Sequence, residues 1–543
     1  MAAPDTPRTA RGRAAALIYT PGMSITTPDW VRDAVFYQIF PDRFASSSRV
    51  PKPGTLEPWD AEPTNYGFKG GDLRGIAERL PYLADLGVTA VYLTPIFSSA
   101  SNHRYHTFDY LEVDPLLGGD DALRELLDSA HARGMRVVLD GVFNHTGRGF
   151  WAFHHVLENG AGSPYRDWFH FSKAGLEGHR PFRPYPWPSD PKEAFDEPFT
   201  GISEDRRGDE SFRELGYRAW WGLPALPKLN TDNPEVRAHI FEVAEHWLRF
   251  GIDGWRLDVP TEIRDESFWQ EFRRRCRAVN PDAYIVGEIW SECPEWLAGD
   301  RFDAVMNYPL AQAILGFAAQ GHLDEGVVRR HHEYGRTVRR RNGVEFAAEL
   351  ERLMGLYDRA VTEVQLNLLD SHDSPRYRTM AGRDQAAYHL AVLLQATLPG
   401  APCTYYGDEI GVEGDHDPGC RRAFPWDESR WDRAGLDWTT AAFAARHALP
   451  ALRRGTFRIA GASSDALAYL RGESAGGGAV LVVVNAGEAP AAVPAWVPEV
   501  AGATLVDQPL PGVLAGEVVV GADGNVTVPV PARTGRILRA PAG

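Results

Sequence analysis

Through the first four fifths of the chain, apolar and polar positions follow two periods in turn. Short β-branched or aromatic runs read as strands: VFYQI at 35, AVYLT at 90, RVVLD at 136, GWRLD at 254, YIVGE at 284, DAVMN at 303, VQLNLLD at 364 and CTYYG at 403. Between several of them lie stretches such as DDALRELLDSAHARG (120–134) and EVRAHIFEVAEHWLRF (235–250). Their apolar residues recur at three and four spacing and predict helices with one buried face. Eight strands alternating with helices predict an α/β fold, a (β/α)₈ TIM barrel.

The spacing of the strands is uneven. The interval from Asp140 to Gly254, rich in Pro, Trp and Phe, is too long for a strand-to-helix connection and predicts a small domain inserted after strand three, over 146–225. A second insertion near 320–360 carries RRHHEYGRTVRRRNG, a basic cluster read as a solvated helix face rather than a binding site. Beyond about 435 the pattern changes to apolar runs broken by Gly and Pro (ALAYLRG, AVLVVVNAG, GEVVVGADGNVTVPV), which predict a C-terminal antiparallel β-sandwich over 436–543. The barrel then occupies 29–145 and 226–435. Residues 1–28, rich in Ala, Arg, Pro and Thr, read as a disordered leader, with Met23 as an alternative start. Their longest apolar run, AAALIY, is short for a signal-peptide core.

Composition narrows the function classes. The 543 residues are 44% apolar and 24% charged, as in an ordinary folded soluble protein. A formal charge of −16 speaks against nucleic acid, which wants a basic patch, and suits a neutral polymer as partner. No run approaches a membrane span. Cys276, Cys293, Cys403 and Cys420 are too few and too scattered for a disulfide framework or a metal site, and read as buried thiols in a reducing, cytoplasmic setting.

In a barrel of this kind the chemistry gathers at the C-terminal ends of the strands. Five of the strands end in or run into an acidic residue: Asp140, Asp258, Glu288, Asp373 and Asp408. Asp140 and Asp408 are equally compatible with a loop or cap role. In GWRLDV, residues two apart share a face, so Arg256 and Asp258 are aimed to one side and Trp255 and Leu257 to the other. Hydrolysis of a glycosidic bond with retention needs an acid for the leaving oxygen and a carboxylate nucleophile. Asp258, Glu288 and Asp373 would supply nucleophile, acid and a third carboxylate for the cationic transition state. Arg256 would keep Asp258 ionised by favouring its charged form. Glu288, after an apolar strand and before Ile289 and Trp290, should have a raised pKa. His145 and His372 at the same rim would hydrogen-bond sugar hydroxyls, and Tyr105 would stack on a pyranose face.

DGVFNH (140–145), GWRLDV (254–259), GEIW (287–290) and LLDSHD (368–373), in that order, resemble the α-amylase superfamily, glycoside hydrolase family thirteen, over nearly the whole chain from about residue 30. The resemblance places the family's nucleophile on Asp258, its acid/base on Glu288 and its transition-state stabiliser on Asp373. Its subsite residues fall on Tyr105, His145, Arg256 and His372. VFYQIFPDRF, GGDLRGI, LPKLN and GDHDPGCRRAFPW look like the neopullulanase, cyclomaltodextrinase and maltogenic amylase branch. In the last stretch Asp417 and Arg421 match residues that hold the sugar at outer donor subsites. Three departures stand out. Only about 30 residues precede the first strand, where many members of the branch carry a β-sandwich that builds a dimer. The Asn and Asp residues expected after PDRF to bind calcium are replaced by ASSSRVPKPG, so no metal site is expected. The nucleophile is followed by VPTE, which keeps Glu262 but changes its surroundings.

These readings imply a retaining α-glucan hydrolase acting on α-1,4 bonds, with α-1,6 bonds left open, in maltooligosaccharides, cyclodextrins or pullulan, with no required cofactor. The sequence alone leaves the oligomeric state open. The alternatives are a 4-α-glucanotransferase, with Trp290, Trp220 and Trp221 as candidates to line a dry acceptor side, and a non-catalytic carbohydrate-binding protein. Against the second stands the intact trio of carboxylates, which binding alone does not need.

Overall fold

The computed structural model describes residues 25–185, 211–472 and 478–540. The leader reading falls on 1–28, of which only 25–28 lie inside the described residues, and part of the reading for 146–225 also lies outside them.

Eight strands form one sheet: β1 (Phe36–Ile39), β2 (Ala90–Leu93), β3 (Arg136–Gly141), β4 (Gly254–Leu257), β5 (Tyr284–Gly287), β6 (Ala304–Val305), β7 (Leu366–Leu368) and β8 (Ala401–Tyr405). They coincide with the eight apolar runs of the sequence. From β1 to β6 each pairs in parallel with the next, β7 pairs with β8, and β1 pairs with both β2 and β8. A parallel bridge from Met306, just past β6, to Leu366 in β7 closes the ring. The barrel is the predicted one. It follows from strands buried on both faces, which is why they lack alternation.

Helices 73–86, 119–131, 234–250, 266–279, 308–318, 385–397 and 433–448 wrap the ring. Most begin on an Asp or Asn whose side chain accepts a backbone N–H of the first turn: Asp72, Asn233, Asp265, Asn307, Asp384 and Asp432. The connection from β5 to β6 carries only a 3₁₀ turn at 294–297.

Gly254 at the head of GWRLDV is a packing requirement. A Cβ there would lie 2.3 Å from the Tyr284 carbonyl oxygen on the neighbouring strand. Trp255 packs outward against Phe97 and Phe143, while Arg256 turns into the barrel, as the period of two requires.

Beyond the barrel, β9 (Phe457–Ala462), β10 (Ala466–Arg471), β11 (Val480–Asn485), β13 (Thr504–Asp507), β14 (Glu517–Val519) and β16 (Thr534–Arg539) form an antiparallel sheet in the order β9-β10-β11-β16-β13-β14. The pair β12 (Ala491–Trp496) and β15 (Asn525–Val530) covers it. Ala468, Leu481 and Val483 enter the core between these sheets, whereas Leu467, Tyr469, Val482 and Val484 join the barrel's core. Both faces are covered, which explains the unbroken apolar run AVLVVV. At this junction Arg446 donates to the carbonyls of Arg32, Ala396, Gly400 and Leu452, and Arg471 to those of Thr397, Leu452, Gly455 and Thr456.

Candidate active site

Arg256 is the hub of the site and is fully buried. One terminal nitrogen lies 2.9 Å from both oxygens of Asp140 and 3.1 Å from Asp258 Oδ1. The other lies 3.1 Å from Glu288 Oε2. Asp140 ends β3, Asp258 and Glu288 follow β4 and β5, and so one guanidinium is shared by three carboxylates from three adjacent strands.

That sharing divides the effect expected of Arg256, which still favours the charged form of Asp258. Burial, followed by the charge of Glu288, pushes the Asp258 carboxyl well above its ordinary range despite the guanidinium. Glu288 is also raised, first by burial and then by the charge of Asp373. This agrees in direction with the reading from its apolar flanks. Asp140 is raised by burial against the pull of Arg256. Groups this close titrate together, so the protons belong to the cluster rather than to one residue. Asp373 differs. Burial is outweighed by His372, Arg421 and Arg256, and its carboxyl lies below the ordinary range.

Glu288 is fixed from two sides. Val259 donates its N–H to Oε2 at 3.0 Å, and Trp290 donates Nε1–H to Oε1 at 3.1 Å. To aim that N–H, Val259 takes φ 34°, ψ 52°, a left-handed conformation that a β-branched residue strongly disfavours and that costs on the order of 1–3 kcal/mol. Trp290 is held in turn by Tyr308, stacked at 3.6 Å between ring centroids.

His372 and Tyr105 form a second layer. Their rings stack at 5.5 Å, 4° from parallel, so one face of Tyr105 is already occupied. Tyr105 donates its hydroxyl to Asp140 at 2.9 Å, as Tyr92 does at 2.8 Å. His372 Nε2 lies 2.6 Å from the Tyr105 hydroxyl and 3.1 Å from Asp373 Oδ2. With the tyrosine proton on Asp140 and a carboxylate opposite, Nε2 carries the imidazole proton. Nδ1 then accepts from Gln38, 2.8 Å away. Burial holds His372 neutral, its pKa down to about 3. Gln38 was missed in the sequence, although a glutamine in the middle of the apolar run VFYQI was the signal for it.

His145 is buried and stacked on Trp220 at 4.8 Å, with Nε2 free of any protein partner. Burial lowers its pKa to about 3. Arg421 reaches back to the centre, donating to Asp373 Oδ1 at 3.0 Å and to the His372 carbonyl at 2.8 Å while pairing with Asp417 at 3.0 Å. Glu262 accepts from Lys228 at 2.9 Å, which joins VPTE to LPKLN. The structure thus gathers Tyr105, Arg256, Asp258, Glu288, Trp290, His372, Asp373, Asp417 and Arg421 into one connected network. His145 and Glu262 sit on its flank, on either side of Lys228.

One open reading is resolved and another changes. Asp408 does not join the network; it lies beside Asp370 and pairs with Arg376 at 2.9 Å, bracing the loop that carries Asp373. The basic cluster at 329–341 is not solvated throughout. His331 is buried, and its Nε2 lies 3.1 Å from the Asp373 carbonyl oxygen. A helical wheel could not show this, because the chain leaves the helix 325–330 at that residue.

The expected calcium region holds a cation of its own. Lys52 Nζ lies 2.8 Å from buried Asp72 and 3.2 Å from the Leu116 carbonyl. Among the described residues, no group of three or more His, Cys, Asp or Glu side chains is placed to hold a metal. The four cysteines are buried and unpaired. Among the described residues no helix is long and apolar enough to cross a membrane.

Residues 38–447 match the family described as the catalytic domain of alpha amylase. Neopullulanase 2 of Thermoactinomyces vulgaris is 41% identical over 515 residues, 94% of this chain and 78% of that protein. A cyclomaltodextrinase of Geobacillus thermopakistaniensis is 41% identical over 469 residues, 86% of this chain and 71% of that protein. Among solved structures, the debranching enzyme of Nostoc punctiforme superimposes with a TM-score of 0.80 at 42% identity, covering 95% of this chain and all of that one. With a closed parallel barrel and carboxylates converging at its rim, the chain belongs to the α-amylase family of glycoside hydrolases.

Proposed function

We propose that this enzyme hydrolyses α-1,4 and α-1,6 glucosidic bonds of small maltodextrins, cyclodextrins and pullulan with retention of configuration. The observation that carries the reading is the trio Asp258, Glu288 and Asp373 converging beyond the ends of β4, β5 and β7, two of them on one guanidinium. The relatives' names supply the substrate class, and the neopullulanase and the cyclomaltodextrinase are named for hydrolysis.

In the first step Asp258, ionised while the cluster's proton rests on Glu288, attacks the anomeric carbon through Oδ2, which has no protein partner. The glycosidic bond breaks, its electron pair goes to the leaving oxygen, and Glu288 delivers the proton. The raised pKa of Glu288 suits it to that delivery. Asp373, kept ionised by its cationic neighbours, faces the oxocarbenium-like charge. Water, deprotonated by Glu288, then attacks the glucosyl–Asp258 ester and releases the retained sugar. Tyr105, His145, Arg256 and His372 hold the ring at the reacting subsite, Asp417 and Arg421 the outer donor sugars, and Glu262 and Trp290 the leaving-group side. No step draws on a metal or cofactor.

The test is a product profile on β-cyclodextrin, pullulan and maltotriose, wild type beside Asp258→Asn. Ring opening of cyclodextrin and cleavage of pullulan, both lost in the variant, are expected. Activity that survives in Asp258→Asn would overturn the assignment.

A further inference from the structure

Six rings from four segments of the chain follow one another in contact around one side of the site. Trp290 is 5.4 Å from His331 between ring centroids, His331 is 5.4 Å from His332, and His332 is 6.1 Å from Trp221. Trp221 is 4.9 Å from Trp220, and Trp220 is 4.8 Å from His145. The arc starts on Glu288, through the hydrogen bond from Trp290, and ends on His145, in the loop that follows β3.

Two local constraints build it. Neighbouring tryptophans ordinarily diverge, but Trp221 takes φ 53°, which folds its ring back onto Trp220. His331 is locked as a neutral imidazole: Nδ1 accepts the Tyr334 N–H at 3.2 Å, so Nε2 donates to the Asp373 carbonyl. Burial, which lowers its pKa to about 4, agrees. His332, by contrast, keeps about half of its side chain exposed.

We propose that His331 and His332 close this arc into a wall for the leaving-group sugar. His331 is a positioning residue that ties Trp290 to the Asp373 loop, and His332 is a specificity-determining residue that offers its ring to a glucopyranose on the far side of the scissile bond. The inference rests on Glu288 being the group that protonates the leaving oxygen, because that proton marks which side of the bond the arc encloses. Ring faces and sugar C–H surfaces suit one another, and such contacts are worth two- to tenfold each in affinity.

The experiment compares two substrates with the same donor: maltotriose, whose leaving group is glucose, and α-maltosyl fluoride, whose leaving group is too small to reach the arc. His332→Ala is expected to lower the ratio of their kcat/KM values roughly fivefold. His332→Phe, which keeps a ring, is expected to hold the ratio within about twofold. An unchanged ratio in His332→Ala, or an equal fall in both variants, overturns the proposal. Failure of the wild type to cleave either substrate overturns instead the functional reading beneath it.

Discussion

Removing the shared cation, in Arg256→Met, exposes the charge balance on which the site is built. The guanidinium touches Asp140 at 2.9 Å and Asp258 and Glu288 at 3.1 Å. Each such attraction is about 5–6 kcal/mol at an effective dielectric of 20, but desolvation offsets most of it, and losing one partner of a buried ion pair costs about 3–5 kcal/mol net. At roughly 2 cal/mol/K per residue, unfolding 543 residues carries an entropy on the order of 1 kcal/mol/K, so Tm should fall by about 3–5 °C. The fall should depend on pH. All three carboxyls lie above their ordinary range even with the arginine present, and without it they rise further. A carboxyl raised in the folded state contributes stability that is full below its unfolded pKa and lost as pH rises through its folded pKa. The deficit of Arg256→Met should therefore be larger near pH 8 than near pH 5, and Asp140→Asn added to it should recover about 1–3 kcal/mol. Scanning calorimetry of the single and double variants at both pH values measures this. Equal deficits at the two pH values, with additive single effects, would refute the shared-cation picture.

The pH profile of kcat/KM should be a bell whose alkaline limb lies above the usual glutamic acid range of about 4.3, because burial and Asp373 raise Glu288. Arg446→Met should lower Tm by several degrees through the carbonyls of Arg32, Ala396 and Gly400, each worth about 1 kcal/mol or more, while Leu452 keeps its bond from Arg471 and kcat/KM stays within about twofold. Dialysis against EDTA should leave Tm unchanged, since Lys52 occupies the oxygens of Asp72 and Leu116, whereas Lys52→Ala should lower it.

The barrel was legible because its strands are continuous apolar runs and its helices carry capped, three-and-four patterns. The catalytic trio was legible because acidic residues at strand ends break those runs. Missed features share a physical reason, which is that they depend on contacts distant in sequence. Gln38 reaches the site through His372, 334 positions away, and His331 through Asp373 and Trp290, 42 and 41 positions away. The strain at Val259 and the fold-back of Trp221 are backbone conformations that residue type argues against. The division of Arg256 among three carboxylates does not show in one strand, because the neighbouring strands bring Asp140 and Glu288 to the same guanidinium.

The most direct test of the central claim is to trap the intermediate. The enzyme would be incubated with 5-fluoro-α-glucosyl fluoride, quenched in acid, digested and examined by mass spectrometry. One fluoroglucosyl unit on the peptide containing Asp258, absent from Asp258→Asn, is the expected result. A label on Glu288 or Asp373, or turnover that leaves no label and releases an inverted sugar, would contradict the account.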